Sequence, residues 1–168
     1  MEPAIAVGKA LQMVDQGAQI IDLGGESTRP GSESISEEEE IQRVLPVLEK
    51  LPVDQFVISI DTTKPKVAEL ALEAGAHIIN DVSGGNFQLL NLARKYQAGF
   101  IIMHAQGLPK TMQEQPSYMN TVTEIRESFD QKKSQIKDFN LPRIWVDPGI
   151  GFGKTLSHNL EIMKNIHS

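Results

Sequence analysis

Five short apolar runs, each ending in a polar residue, constrain this chain more than any other feature. They are Ile20–Asp22, Val57–Asp61, Ile78–Asp81, Phe100–His104 and Ile144–Asp147, and helix-like segments separate them. β-Branched runs of this kind suit strands buried on both faces, as in a parallel sheet covered by helices. A polar residue at the carboxyl end of such a strand lies where the sheet meets solvent, the edge at which parallel α/β folds bind ligands. Asp22, Asp61, Asn80, His104 and Asp147 are therefore expected to converge on one mouth.

The intervening segments carry helix signals. Residues 4–16 hold Ala4, Val7, Leu11 and Val14 at helical spacing, with Gly17 placed to stop them. Ser36 and Glu39 fit a capping box, followed by a stripe of Ile41, Val44, Leu45 and Leu48. The acidic run Glu37–Glu40 reads as a solvated first turn favoured by the helix dipole. Pro65 in a first turn and Gly75 after the last turn frame a third helix. Further helices are expected near 87–97 and 121–138, with strands at 20–24, 56–61, 77–82, 99–104 and 143–147. Residues 15–22 (DQGAQIID) and 73–80 (EAGAHIIN) are similar to each other, as repeated helix-then-strand units would be. Such units build either an open doubly wound sheet or a closed barrel. The barrel is favoured, because a functional-looking residue ends every strand instead of clustering at one switch point.

At 168 residues the chain has the size of a single domain. A full (β/α)8 barrel needs about 250 residues. Five strands where eight are expected give the stretch 1–168 the look of one domain incomplete at both ends, lacking its first, seventh and eighth strands. The net charge is −6, and no Lys/Arg stripe with interleaved aromatics is present, which argues against nucleic acid. Without cysteine there are no disulfides or thiolate metal sites. No apolar stretch approaches the ~20 residues that span a bilayer, and no signal-peptide pattern opens the chain. The expectation is a soluble cytoplasmic protein with no membrane partner.

Three segments carry candidate chemistry. The loop Gly24–Ser32 joins a strand end to a helix and offers Ser27, Thr28, Arg29 and Pro30; Arg29 suits a phosphate or carboxylate through its planar fork of donors. Asp61, Asn80 and Asp147 form a second group. A carboxylate accepts from an amidine-like edge and an amide both donates and accepts, so together they suit a nitrogen-rich heterocycle. Each alone is as well explained as a cap on the following helix. The third segment, Asp147–Thr155, is glycine-rich but fits no nucleotide motif: Pro148 stands where a Walker A loop needs glycine, and Lys154 where a dinucleotide fingerprint does. Its glycines suggest close backbone approach to a flat ligand, and Lys154 reads as a solvated charge. His104 is either a proton-transfer group or a hydrogen-bonded structural imidazole, Asp22 a brace on the floor of the mouth. The scattered histidines make zinc improbable, and no Gly-x-Ser-x-Gly elbow is present.

Five ordered motifs complete the reading: ESTRPGS after IIDLGG, SIDTTKP, AHIINDVSGG, MHAQGLPKTMQ and WVDPGIGFGK. Together they resemble the dihydropteroate synthase family along nearly the whole chain. The resemblance implies a (β/α)8 barrel of folate biosynthesis, which joins 6-hydroxymethyl-7,8-dihydropterin diphosphate to p-aminobenzoate, releases diphosphate, and is the target of sulfonamides. It assigns Asp61, Asn80, Asp147, Met103, Gly151 and Val82 to the pterin. Ser27, Thr28, Arg29, Pro30 and Phe152 fall to the diphosphate and p-aminobenzoate region, where a mobile loop closes. No covalent nucleophile is implied. Magnesium is the implied cofactor, but its asparagine ligand and a cation-supporting aspartate fall before residue 1, and a lysine and an Arg-x-His segment after residue 168, so this chain holds no metal ligand and is expected to be inactive alone. A homodimer is implied for the complete enzyme. A truncated, non-catalytic pterin binder is one alternative. A second is the pterin-binding barrel of a folate-dependent methyltransferase, against which the anion-closing loop ESTRPGS speaks.

Overall fold

The computed structural model describes residues 2–28, 32–107 and 111–167. Helix α1 (Pro3–Asp15) precedes β1 (Ile20–Gly24). There follow α2 (Glu37–Leu48), β2 (Val57–Asp61), α3 (Pro65–Glu73), β3 (Ile78–Asp81), α4 (Phe87–Tyr96), β4 (Gly99–Met103), α5 (Thr121–Ile136), β5 (Ile144–Asp147) and α6 (Leu156–Lys164). The strands form one parallel sheet in the order β1-β2-β3-β4-β5. Each strand lies beside its predecessor, so no switch point exists in this sheet. That is the order of a (β/α) barrel arc, here of five strands, as the motif distribution predicted.

Local chemistry explains the helix ends. α1 and α3 both close through a left-handed glycine, Gly17 (φ 102°) and Gly75 (φ 103°). Ala18 N–H reaches Met13 O and Ala76 N–H reaches Ala71 O, both at 2.9 Å. These are two copies of one Schellman closure. They account for the sequence similarity between residues 15–22 and 73–80. The capping box at α2 is only half formed: Ser36 Oγ accepts from Glu39 N–H, but the Glu39 carboxylate pairs with Arg43.

Parallel register sorts the strand residues between two faces. Ile21, Ile58, Ile60, Ile79, Phe100 and Ile102 occupy the outer face and are buried with Val44, Leu48, Ala68, Ala71, Leu89, Leu90 and Ala93 of the helices. Burying each such isoleucine contributes about 1.5–3 kcal/mol, which makes this layer the stabilising one. Its regularity carries a second consequence. With every other strand residue committed to the helices, the alternate residues must face the inside of the arc. At the far end of the sheet Val146 on β5 and Leu156, Leu160 and Met163 on α6 remain exposed. No helix among the described residues is long and apolar enough to cross a membrane.

Candidate functional site

The inner face carries a polar stripe where a barrel interior is ordinarily apolar. Asp22 is level with Ser59, and Asp61 with Asn80, so these four side chains lie on one face of β1–β3. Asn80 Nδ2 donates to Asp22 Oδ2 at 3.1 Å, across 58 residues of sequence. Thr28 Oγ1 donates to Asp61 Oδ2 at 3.4 Å. Three oxygens of this stripe are buried without a hydrogen-bond partner among the described residues: Ser59 Oγ, Asp61 Oδ1 and Asn80 Oδ1. Leaving a buried polar atom unpaired costs about 1–3 kcal/mol, so three on one face make this stripe the candidate place for water or a ligand to complete the bonding. Burial pushes the Asp61 carboxyl up to about 7, and the neighbouring Asp22, Glu40 and Asp81 push the same way against the Thr28 hydroxyl. A carboxyl so poised accepts N–H donors readily and is relieved by them.

Asp81, next to Asn80, points to the other face. Its carboxylate accepts from Ser83 N–H, Ser83 Oγ–H, Gly85 N–H and Asn86 N–H, holding the turn into α4. At this strand end the turn-capping role falls to Asp81, and Asn80 is left on the inner face.

On the β4–β5 side Met103 is level with Asp147. Counting along the register from Asn80 through Ile101 puts Met103 and Asp147 on the inner face as well. Asp147 Oδ1 accepts from Gly149 N–H at 2.8 Å, so one oxygen shapes the turn. The glycines of that turn divide by cause. A Cβ on Gly149 (φ 66°) would collide with the His104 carbonyl oxygen, and one on Gly153 (φ 62°) with the Gln106 carbonyl oxygen. Both are therefore set by the neighbouring strand end and not, as the sequence suggested, by a ligand. Gly151 (φ 85°) is the exception, with no atom of the described residues within 4 Å of its added Cβ.

Lys154 is not a solvated charge. It is 3% exposed, and its Nζ lies 3.1 Å from His104 Nδ1, 3.1 Å from His104 O and 2.9 Å from Phe152 O. Burial pushes Lys154 down to about 8 against the pull of Asp147. Burial and then the Lys154 and Lys132 charges push His104 down to about 4. At neutral pH His104 is an uncharged acceptor for an ammonium group. Of its two sequence readings the structural imidazole fits this geometry, because the Nδ1 lone pair is already committed to Lys154.

Two cavities meet the sheet end. One, of about 300 Å³, is lined by Thr28, Val82, Met103, His104, Lys132 and Phe152, among others. The other, of about 390 Å³, is lined by Ser27, Thr28, Asp61, Lys64 and Val82, among others. Thr28 and Val82 border both, so the loop after β1 and the end of β3 separate the two spaces. Arg29 and Pro30, singled out in the sequence, lie outside the described residues. The sequence reading also passed over Glu40, which is 1% exposed instead of solvated, and Ser59 and Lys64. Glu40 and Lys64 carry no local signal, since each is placed by a partner distant in sequence. Ser59 had one: it is the polar residue two before Asp61 in an otherwise apolar strand, hence on the same face.

Comparison with known proteins gives the family of the chain. The family model described as pterin binding enzyme matches residues 1–168. The chain is 41% identical over 166 residues to the dihydropteroate synthase of Synechocystis sp., covering 96% of this chain and 57% of that protein. The solved structure of Burkholderia cenocepacia dihydropteroate synthase complexed with 7,8-dihydropteroate superposes with a TM-score of 0.90 at 37% identity, covering 99% of this chain and 61% of that one. The Thermus thermophilus dihydropteroate synthase in complex with 4-aminobenzoate gives 0.87 at 37%, covering 95% and 62%. The chain therefore spans less than two thirds of the length of each of these relatives.

Proposed function

The chain belongs to the pterin binding enzyme family, and on that premise we propose that it carries the pterin slot of a dihydropteroate synthase. The observation that carries this reading is the set of unpartnered buried oxygens on β2 and β3, together with the raised Asp61 carboxyl. A pterin presents an amino group and ring N–H donors along one edge and acceptors beside them. Asp61 and Asp147 accept from such an edge, Asn80 meets donors and acceptors alike, and Met103 and Val82 supply apolar contact to the flat ring. Gly151, whose added Cβ would meet no described atom within 4 Å, belongs to the slot in this reading.

The proposed reaction joins the pterin's exocyclic methylene carbon to the aniline nitrogen of p-aminobenzoate. The carbon–oxygen bond to diphosphate breaks, the electron pair leaves with diphosphate, and the nitrogen attacks the carbocation and loses a proton. Protein residues then act by orienting the ring and by placing carboxylates near developing positive charge, with no covalent intermediate. Phe152 and Thr28, which share the smaller cavity, belong to the p-aminobenzoate side of this reading, and Ser27, Arg29 and Pro30 to the same loop. A cytoplasmic location and a homodimer are parts of the reading supported by the family resemblance. The magnesium of this chemistry rests on the family resemblance alone; among the described residues no three His, Asp or Glu side chains gather as a metal site, and no step is routed through the ion.

The test is calorimetric titration with 6-hydroxymethyl-7,8-dihydropterin. Asp147→Asn presents donors to donors and leaves a buried N–H unpaired. It is expected to weaken binding by roughly 2–4 kcal/mol, a loss of roughly 30- to 1,000-fold. Unchanged affinity would refute the assignment of Asp147 to the slot.

A further inference from the structure

The loop that follows β1 is tied down at its root by charged side chains for which the proposed reaction has no use. Lys64, the N-cap residue of α3, places Nζ 2.5 Å from Glu26 Oε2 and 2.5 Å from Glu40 Oε2. The same Glu26 Oε2 accepts from Ile35 N–H at 3.1 Å. One carboxylate oxygen therefore gathers the first and last residues of the loop, and one ammonium group pins that oxygen to α2. Glu40 is immobilised in turn, being 1% exposed.

A second set of contacts fixes the same root from the other side. Arg43 Nη1 donates to Gly25 O at 2.9 Å, and an added Cβ on Gly25 would stand 2.8 Å from Glu40 Cγ and 3.0 Å from Glu40 O. The chain before Glu26 thus lies flat on α2, with no room for a larger residue. Two residues beyond Glu26, Thr28 meets Asp61, and the larger cavity lies between them and Lys64. Burial works against the Lys64 charge, but its hydrogen bonds to Glu26 and Glu40 outweigh it and hold the ammonium above its ordinary range.

We infer that Lys64 is a positioning residue: through Glu26 it fixes both ends of the loop between residues 26 and 35, and so sets where Thr28 meets Asp61 and whatever ligand lies beyond it. The functional half of this inference rests on the reading proposed above; the structural half does not.

Glu26→Leu is the informative variant, because it removes both acceptor oxygens of the strap while leaving the buried Glu40 paired with Lys64. Two measurements decide the matter. Hydrogen exchange at the Ile35 amide is expected to quicken roughly tenfold or more once the charged acceptor is lost. In calorimetry, 6-hydroxymethyl-7,8-dihydropterin, which fills only the slot, is expected to bind within about twofold of wild type, whereas its diphosphate, which reaches the loop, is expected to weaken roughly tenfold. Lys64→Arg, made with Glu26 in place, keeps donors for both carboxylates and should leave both behaviours as in wild type, and Lys66→Met on the neighbouring exposed lysine should alter neither. Unchanged Ile35 exchange in Glu26→Leu would overturn the strap. Equal loss for the two ligands would overturn its positioning role. If the wild-type protein binds neither ligand, the pterin reading falls and the exchange measurement still decides the strap.

Discussion

Replacing Gly149 by alanine is expected to cost roughly 3 kcal/mol or more of stability, while the same change at Gly151, two residues away, costs only about 1 kcal/mol. Both glycines have positive φ, 66° and 85°, so both pay a similar conformational strain. What separates them is the space in front of each. A methyl group on Gly149 is driven into the His104 carbonyl oxygen, which is backbone and is itself bonded to Lys154; either the turn or the end of β4 must move. A methyl group on Gly151 meets no described atom within 4 Å. The order should reverse for ligand: Gly151→Ala keeps its fold and loses pterin affinity, because the methyl group enters the space the proposed ring occupies. Denaturant melts and calorimetry on the two variants check both halves. Equal stability of Gly149→Ala and wild type would show that the turn does not rest on the strand end as described.

Asp61→Asn is expected to stabilise the ligand-free protein above neutral pH while weakening pterin binding by roughly 2–4 kcal/mol. The sign follows from linkage. In the folded protein burial and the Asp22 charge raise the Asp61 carboxyl from 3.8 to about 7, so the folded state holds this proton more tightly than the unfolded chain. Its contribution to stability is complete below about pH 4, is lost as pH rises between about 4 and 7, and is absent above that window. Allowing for its partial exposure, the loss is on the order of 3 kcal/mol. Asparagine has no such charge to bury, so the variant should lack this decline, and the two unfolding curves should diverge from pH 4 upward. Binding moves the other way, because an amide hydrogen replaces an acceptor where the ligand offers N–H groups. Parallel pH profiles for the two proteins would remove the electrostatic argument; retained pterin affinity would remove the assignment.

The expected gain in stability follows from how the candidate site is built. Asp22, Asp61 and Asn80 are held together at the strand ends by a scaffold whose outer layer, Ile58, Ile60, Ile79 and Phe100 against the helices, is fully buried and regular. The inner layer is not optimised for the empty state, and three of its oxygens stand without partners among the described residues.

Much of this architecture was legible in the order of the residues. β-Branched runs alternating with amphipathic segments specify parallel strands and covering helices, because period and turn chemistry belong to near neighbours in the chain. Gly17 and Gly75 stop their helices through bonds that reach back only a few residues, and Asp61, Asn80 and Asp147 announce themselves as polar ends of apolar runs. Strand alternation even separates Asn80 from Asp81, once the face of one is known. Which charges are buried was decided by tertiary structure alone. Glu40 looked like one more acid in a solvated first turn, and Lys154 like a loose end of a glycine-rich loop. Each is interior because a partner arrives from far away: Lys64 reaches Glu40 across 24 residues, and His104 meets Lys154 across 50. A charge enters the interior only where another group offsets its lost hydration, and the distance between such groups in space cannot be read from their separation in sequence.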